Sequence, residues 1–145
     1  DFARFHPAGQ LGRNLLLTVG EALQPLERCA VVSVDTSLRD TVIAMTRHPH
    51  GAACILGTDG VLAGLITDGD LRRALSRGID LNAANAGDIM TKNPIRTHPA
   101  VSLGDAARVM EDRPSQISVL PVTDPTTQRC LGLLRIHDIY QAGLV

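Results

Sequence analysis

Apolar residues return along this chain with two different periods, and the order of the periods repeats. Leu38, Val42 and Met45 recur at helical spacing behind Ser37-x-x-Asp40, a capping signature for a helix start. Leu103, Ala107 and Met110 do the same behind Ser102-x-x-Asp105. Each helix leads into two short apolar runs of strand length, 53–56 and 62–66 in the first copy and 119–122 and 131–134 in the second. Thr58-Asp59-Gly60 supplies a tight turn in the first copy. A closing helix follows each second strand, over 68–76 and 136–142. Ser37 and Ser102 stand 65 residues apart, whereas Gly64 and Gly132 stand 68 apart. The second copy therefore carries three extra residues, expected around 114–117 and in the turn-forming Pro125-Thr126-Thr127-Gln128.

With a leading extended segment (30–34 and 95–97), each copy has the order β-α-β-β-α. A sheet that small cannot cover its own apolar face, so an α+β fold is predicted in which the two repeats pack as a pseudo-two-fold pair. Val19-Gly20-Glu21-Ala22-Leu23 opens the first copy much as Ala86-Gly87-Asp88-Ile89-Met90 opens the second. The organisation is then a stub over 1–18, a repeat over 19–78, a polar linker over 79–85 and a repeat over 86–145.

Composition narrows the classes. Aromatic residues are 2% of the chain against 44% hydrophobic, so the core must be aliphatic. A net charge of −1, from 14 basic and 15 acidic residues, leaves no footprint for duplex nucleic acid. The aromatic shortage removes the stacking platform of single-strand binders. No apolar run nears the roughly 18–20 residues that span a bilayer. Cys29, Cys54 and Cys130 are odd in number and lack C-x-x-C spacing, so they read as buried small hydrophobes in a reducing, cytoplasmic compartment. The abrupt start at Asp1-Phe2-Ala3 is expected of a piece of a longer protein.

The repeat order, closing with Gly-h-h-Thr-x-x-Asp-Leu at Gly64–Leu71, resembles the cystathionine β-synthase (CBS) domain, and 19–145 resembles one CBS pair, the Bateman module. Thr67-Asp68-Gly69-Asp70-Leu71-Arg72-Arg73 and the late Ile136-His137-Asp138 are similar to the arabinose 5-phosphate isomerase family. His6-Pro7-Ala8-Gly9-Gln10-Leu11-Gly12-Arg13 resembles that family's His-Pro-Gly-Gly-Ala-Leu-Gly-Arg segment, departing from it at Ala8 and Gln10. The resemblance implies a regulatory module for a sugar isomerase domain that interconverts ribulose 5-phosphate and arabinose 5-phosphate for lipopolysaccharide Kdo. It makes His6 a remnant of that isomerase site. This chain alone is therefore expected to be no enzyme and to require no cofactor.

Thr67-x-x-Asp70 has two readings. It is a helix cap, with Thr67 at the N-cap and Asp70 receiving backbone N–H groups. The same helix terminus also suits a phosphate, and the CBS resemblance implies Thr67 near phosphate and Asp70 on a ribose. That cleft is expected to add Thr91, Lys92, Ile95 and Arg96, with Ile117, Ser118 and Val119 lining the base. Lys92 and Arg96 are otherwise solvated charges. A weaker second cleft would use Ala30, Ala53, Arg135, His137 and Asp138, with Arg135 where the first motif has Thr67. His48-Pro49-His50 is read as a turn at a helix end, with no metal site. Arg72, Arg73 and Arg77 are read as a solvated face. The expected ligand is CMP-Kdo, the product end of the implied pathway, or another nucleotide. AMP, ATP or S-adenosylmethionine is the second class. A module that only holds a homodimer together is the third.

Overall fold

The computed structural model describes residues 16–143, so His6 and the segment 6–13 lie outside the described residues. In chain order the elements are α1 (Val19–Ala22), β1 (Gln24–Pro25), β2 (Ala30–Val32), α2 (Leu38–Arg47), β3 (Ala52–Leu56), β4 (Leu62–Thr67), α3 (Asp68–Ser76), α4 (Ala86–Ile89), β5 (Thr91–Lys92), α5 (Leu103–Glu111), β6 (Val119–Thr123), β7 (Cys130–Arg135) and α6 (Ile136–Gly143). Ser37 and Ser102 cap α2 and α5, each accepting the backbone N–H three residues on (3.0 and 3.1 Å), contacts of about 1 kcal/mol apiece. The three extra residues fall where expected. Two separate α5 from β6, and one lengthens the β6–β7 hairpin.

The leading segments are exchanged between the repeats. One sheet has the order β2-β3-β4-β5 and the other β1-β7-β6. Strand β1, from the first copy, pairs antiparallel with β7 of the second (Pro25↔Gly132), and β5, from the second copy, pairs with β4 of the first (Gly64↔Lys92). The opening helices cross over as well. Val19 N–H donates to Val101 O and Leu103 N–H to Leu17 O, while Leu38 N–H donates to Ala84 O and Ala86 N–H to Thr36 O. Thr18–Glu21 and Asn85–Asp88 close matching capping boxes at α1 and α4. One expectation contracts: the strand predicted over 95–97 is a single bridge, Thr97 to Val122, because Asn93 is left-handed (φ 47) and Pro94 has no N–H to donate.

Three apolar layers result. Ala30, Leu38, Met45, Ala53, Ile55 and Ile66 pack under α2 together with Ala84 of the linker and Ala86 of the other copy. Leu103, Met110, Leu120, Val122 and Leu134 pack under α5 together with Val19 of the first copy. Between the sheets lie Cys29, Cys54, Leu62, Leu65, Val119, Cys130 and Leu133. The three cysteines are buried and free. Burial pushes the Cys29 thiol up to about 11. Cys54 and Cys130 share a hydrogen bond, which with burial holds the Cys54 thiol above its ordinary value.

The exchanged strands need glycine where they cross. A Cβ on Gly132 would lie inside van der Waals contact of the Gln24 carbonyl and 2.8 Å from Leu23 Cδ1. A Cβ on Gly64 would meet Met90 Sδ at 2.6 Å and Thr91 O at 3.0 Å. Backbone cannot yield as a thioether can, so Gly132→Ala should lower unfolding free energy by about 3 kcal/mol and Gly64→Ala by about 1. Urea midpoints measure both, and equal losses at the two sites would contradict the difference in neighbours. The buried thiols give a second expectation. All three should react with a thiol reagent in guanidinium, and in buffer only at the rate at which the sheets part. Rapid labelling of the native protein would show that the inter-sheet layer is open.

Candidate functional site

Helix α3 begins where β4 ends, on the turn from Thr67 (φ −99, ψ 167) into Asp68. Thr67 Oγ1 accepts the Asp70 N–H at 3.2 Å, and Asp70 Oδ2 accepts the Thr67 N–H at 2.9 Å. The cap reading of this motif is therefore realised. The positive end of the α3 dipole faces a cleft of about 510 Å³. Thr67, Gly69, Arg72 and Arg73 line it from the first copy, and Ile117, Ser118 and Val119 from the second. The structure thus brings Thr67 to the three second-copy residues expected beside it.

Asp70 faces an adjoining cleft of about 460 Å³ with Arg77 and, from the second copy, Asp88 and Ile89. Arg73 lines both clefts. Its Nη2 donates to Asp70 Oδ1 at 2.8 Å, while its side chain remains 62% exposed.

The other expected members stand elsewhere. Thr91 and Lys92 are exposed on edge strand β5, Ile95 is exposed, and none of the three lines either cleft. Arg96 is also outside both. It donates to Pro94 O at 3.3 Å and to Gln128 Oε1 at 3.2 Å, on the β6–β7 hairpin. The cations that do reach the site are Arg72 and Arg73, which the sequence suggested were merely a solvated face. Ser115 and Gln116 also line the cleft, and their signal in the sequence was the insertion ahead of β6.

The second copy has a cleft of about 430 Å³ lined by Glu21, Ala22, Gln24, Arg135, His137 and Asp138, among others, and it is the counterpart of the Asp70 cleft, with Glu21 and Ala22 where that one has Asp88 and Ile89. Ala30 and Ala53 do not contribute. They are neighbours in the β2–β3 ladder with side chains fully buried in the layer under α2. Asp138 is 6% exposed and heavily engaged. Its Oδ2 accepts the Arg135 N–H (2.9 Å) and Arg135 Nε (3.1 Å), and its Oδ1 accepts Arg135 Nη2 (2.7 Å) and Gln24 Nε2 (2.9 Å). His50 reaches this region from the first copy. Burial and then the Arg135 charge hold its imidazole below the ordinary histidine value, and its Nδ1 is buried with no hydrogen-bond partner among the described residues. His48 ends α2 as the turn expected there, donating its N–H to Ala44 O.

Among the described residues no group of three His, Cys, Asp or Glu side chains is placed to hold a metal ion. No described helix is long and apolar enough to cross a membrane.

The same architecture and sequence recur in known proteins. The chain is 41% identical over its whole length to an arabinose 5-phosphate isomerase, KdsD, of Yersinia pestis, but spans only 43% of that relative. A CBS domain pair of the protein MJ0100, solved in complex with 5-methylthioadenosine and S-adenosyl-L-methionine, superimposes with a TM-score of 0.74 at 25% identity, covering 87% of this chain and 94% of that one. CBSX2, a CBS-pair protein of Arabidopsis thaliana, solved in complex with AMP, shares the fold at a TM-score of 0.73 and 24% identity, covering 88% and 96%. The CBS domain profile matches residues 19–77 and again residues 86–144, so this chain belongs to the CBS domain family and carries two of its domains in tandem.

Proposed function

We propose that the chain is the regulatory end of an arabinose 5-phosphate isomerase, and that it senses a nucleotide or nucleotide-sugar lying across the α3 cleft and the adjoining Asp70 cleft, which share Arg73. On this reading the isomerase domain is its partner in the longer protein, the module assembles as a homodimer, and both act in the cytoplasm. The observation that carries the reading is the convergence at one helix terminus of a capping Thr67, two guanidinium groups (Arg72 and Arg73) and a second-copy wall of Ile117, Ser118 and Val119. A phosphate suits the dipole and the arginines, and an apolar wall with hydroxyls suits a base. Asp70 accepts two hydrogen bonds, from Thr67 N–H and Arg73, of the roughly four that a carboxylate can take. Its remaining capacity matches the paired hydroxyls of a ribose.

The ligand that best fits this chemistry together with the likeness to KdsD is CMP-Kdo. It offers a ribose to Asp70, a phosphate to the α3 terminus and a carboxylate to Arg72 or Arg73. Feedback from the end of the pathway is then read by the module attached to an early enzyme. A second reading, an adenosine ligand, is favoured by the AMP and S-adenosylmethionine complexes of the structural neighbours.

Calorimetric titration with CMP-Kdo, CMP, AMP, ATP and S-adenosylmethionine separates them. CMP-Kdo should bind at least tenfold more tightly than AMP, a difference of about 1.4 kcal/mol. Asp70→Asn retains an acceptor for the cap yet should weaken CMP-Kdo about tenfold, and Arg72→Ala should do the same with a smaller effect on cytidine. Preference for AMP over CMP would give the site to the adenosine class. A melting temperature unmoved by every nucleotide at millimolar concentration would reduce the module to assembly alone, since a ligand at 100 times its Kd adds about 2.7 kcal/mol.

A further inference from the structure

The two repeats place a carboxylate at the same point, Asp70 at the start of α3 and Asp138 at the start of α6. What surrounds each differs. Asp70 accepts two donors, and one of them is the mostly exposed Arg73. Asp138 accepts four: one backbone N–H, two nitrogens of the Arg135 guanidinium and the amide of Gln24. Four is roughly the full acceptor capacity of a carboxylate. The two guanidinium bonds run side by side, one to each oxygen, as a planar fork meets a carboxylate. Arg135 is the last residue of β7, immediately before α6, where the first repeat has Thr67 at the end of β4, and its side chain is only 25% exposed.

We propose that Arg135 is the built-in occupant of the Asp138 carboxylate in the second cleft. Its fork takes the two carboxylate positions that a ligand's paired hydroxyls would take, and Gln24 of the first copy seals the remaining one. The chain then has one nucleotide site per pair and a second cleft whose carboxylate is already engaged by its own side chain. The engaged carboxylate also ties the repeats together, because Gln24 comes from the exchanged strand β1. The proposal rests on the nucleotide reading of the first cleft, and the test separates the two.

The experiment is calorimetric stoichiometry with CMP and AMP on the whole chain, with folding followed by circular dichroism. Wild type should bind one equivalent. Arg135→Thr, which gives the second repeat the Thr-x-x-Asp of the first, should bind two. The reciprocal Thr67→Arg should bind none, and the double variant Thr67→Arg/Arg135→Thr should regain one, now in the second cleft. Should Arg135→Thr not fold, Arg135→Gln keeps the stem and one amide and carries the same test. A folded Arg135 variant that still binds one equivalent sinks this proposal and leaves the nucleotide reading intact. Two equivalents on wild type sink it as well. If wild type binds nothing, the nucleotide reading of the first cleft fails, while one equivalent on Arg135→Thr would still establish the occupant. Absence of binding to both overturns both.

Discussion

The structure depends on a close backbone crossing. At Gly132 the strand from the first repeat runs against the second repeat's hairpin so tightly that a methyl group has no room, and Gly64 is the matching point on the other side. These crossings finish both sheets with foreign backbone. Neither three-residue β2 nor the bridge at Thr97 could close the far edges. Each helix-covered layer likewise takes part of its apolar content from the other copy, Val19 in one and Ala86, beside Ala84 of the linker, in the other. Separated repeats would expose both a sheet edge and half a core. The module is therefore one cooperative unit built from two similar sequences, and contacts between residues as distant as 24 and 133 make it a topology of long loops.

That architecture explains why the site lies at a seam. The capped start of α3 belongs to the first repeat, and Ile117, Ser118 and Val119 to the second, so the cleft exists only once the repeats have docked. Symmetry supplies two such seams, and single residues set them apart. A threonine before the first helix leaves a cap with acceptor capacity to spare, whereas an arginine in the same place saturates the carboxylate beneath it.

Much of this was legible in the sequence because it rests on local chemistry. The Ser-x-x-Asp signatures located α2 and α5, the apolar runs located the buried strands, and the change of offset from 65 to 68 located the insertions. The pairing of Thr67 with 117–119 came from the resemblance to CBS pairs rather than from any local pattern, since nothing in either segment alone reports a contact across the repeats. The places of Ile95 and Arg96 were not legible, because a left-handed Asn93 followed by Pro94 redirects the chain, and no periodicity reports a single dihedral; Thr91 and Lys92 are held ahead of that turn by the β4–β5 pairing. Arg72 and Arg73 were hidden for another reason. Five and six residues beyond Thr67 on a helix, they look like a solvated stripe until a loop of the second repeat arrives to make a wall of that face.

The exchange at the opening helix also bears on mechanics. Leu17 and Val19 are bonded to Leu103 and Val101, so the chain arriving from residue 16 is gripped by the second repeat before it enters the first. The lead-in is thus a lever whose pivot is the farther body. Whatever widens or narrows the seam between the repeats displaces that pivot relative to α2 and α3. A molecule wedged between Thr67 and Val119 would press on the same two bodies that this grip at Leu17 and Val19 joins.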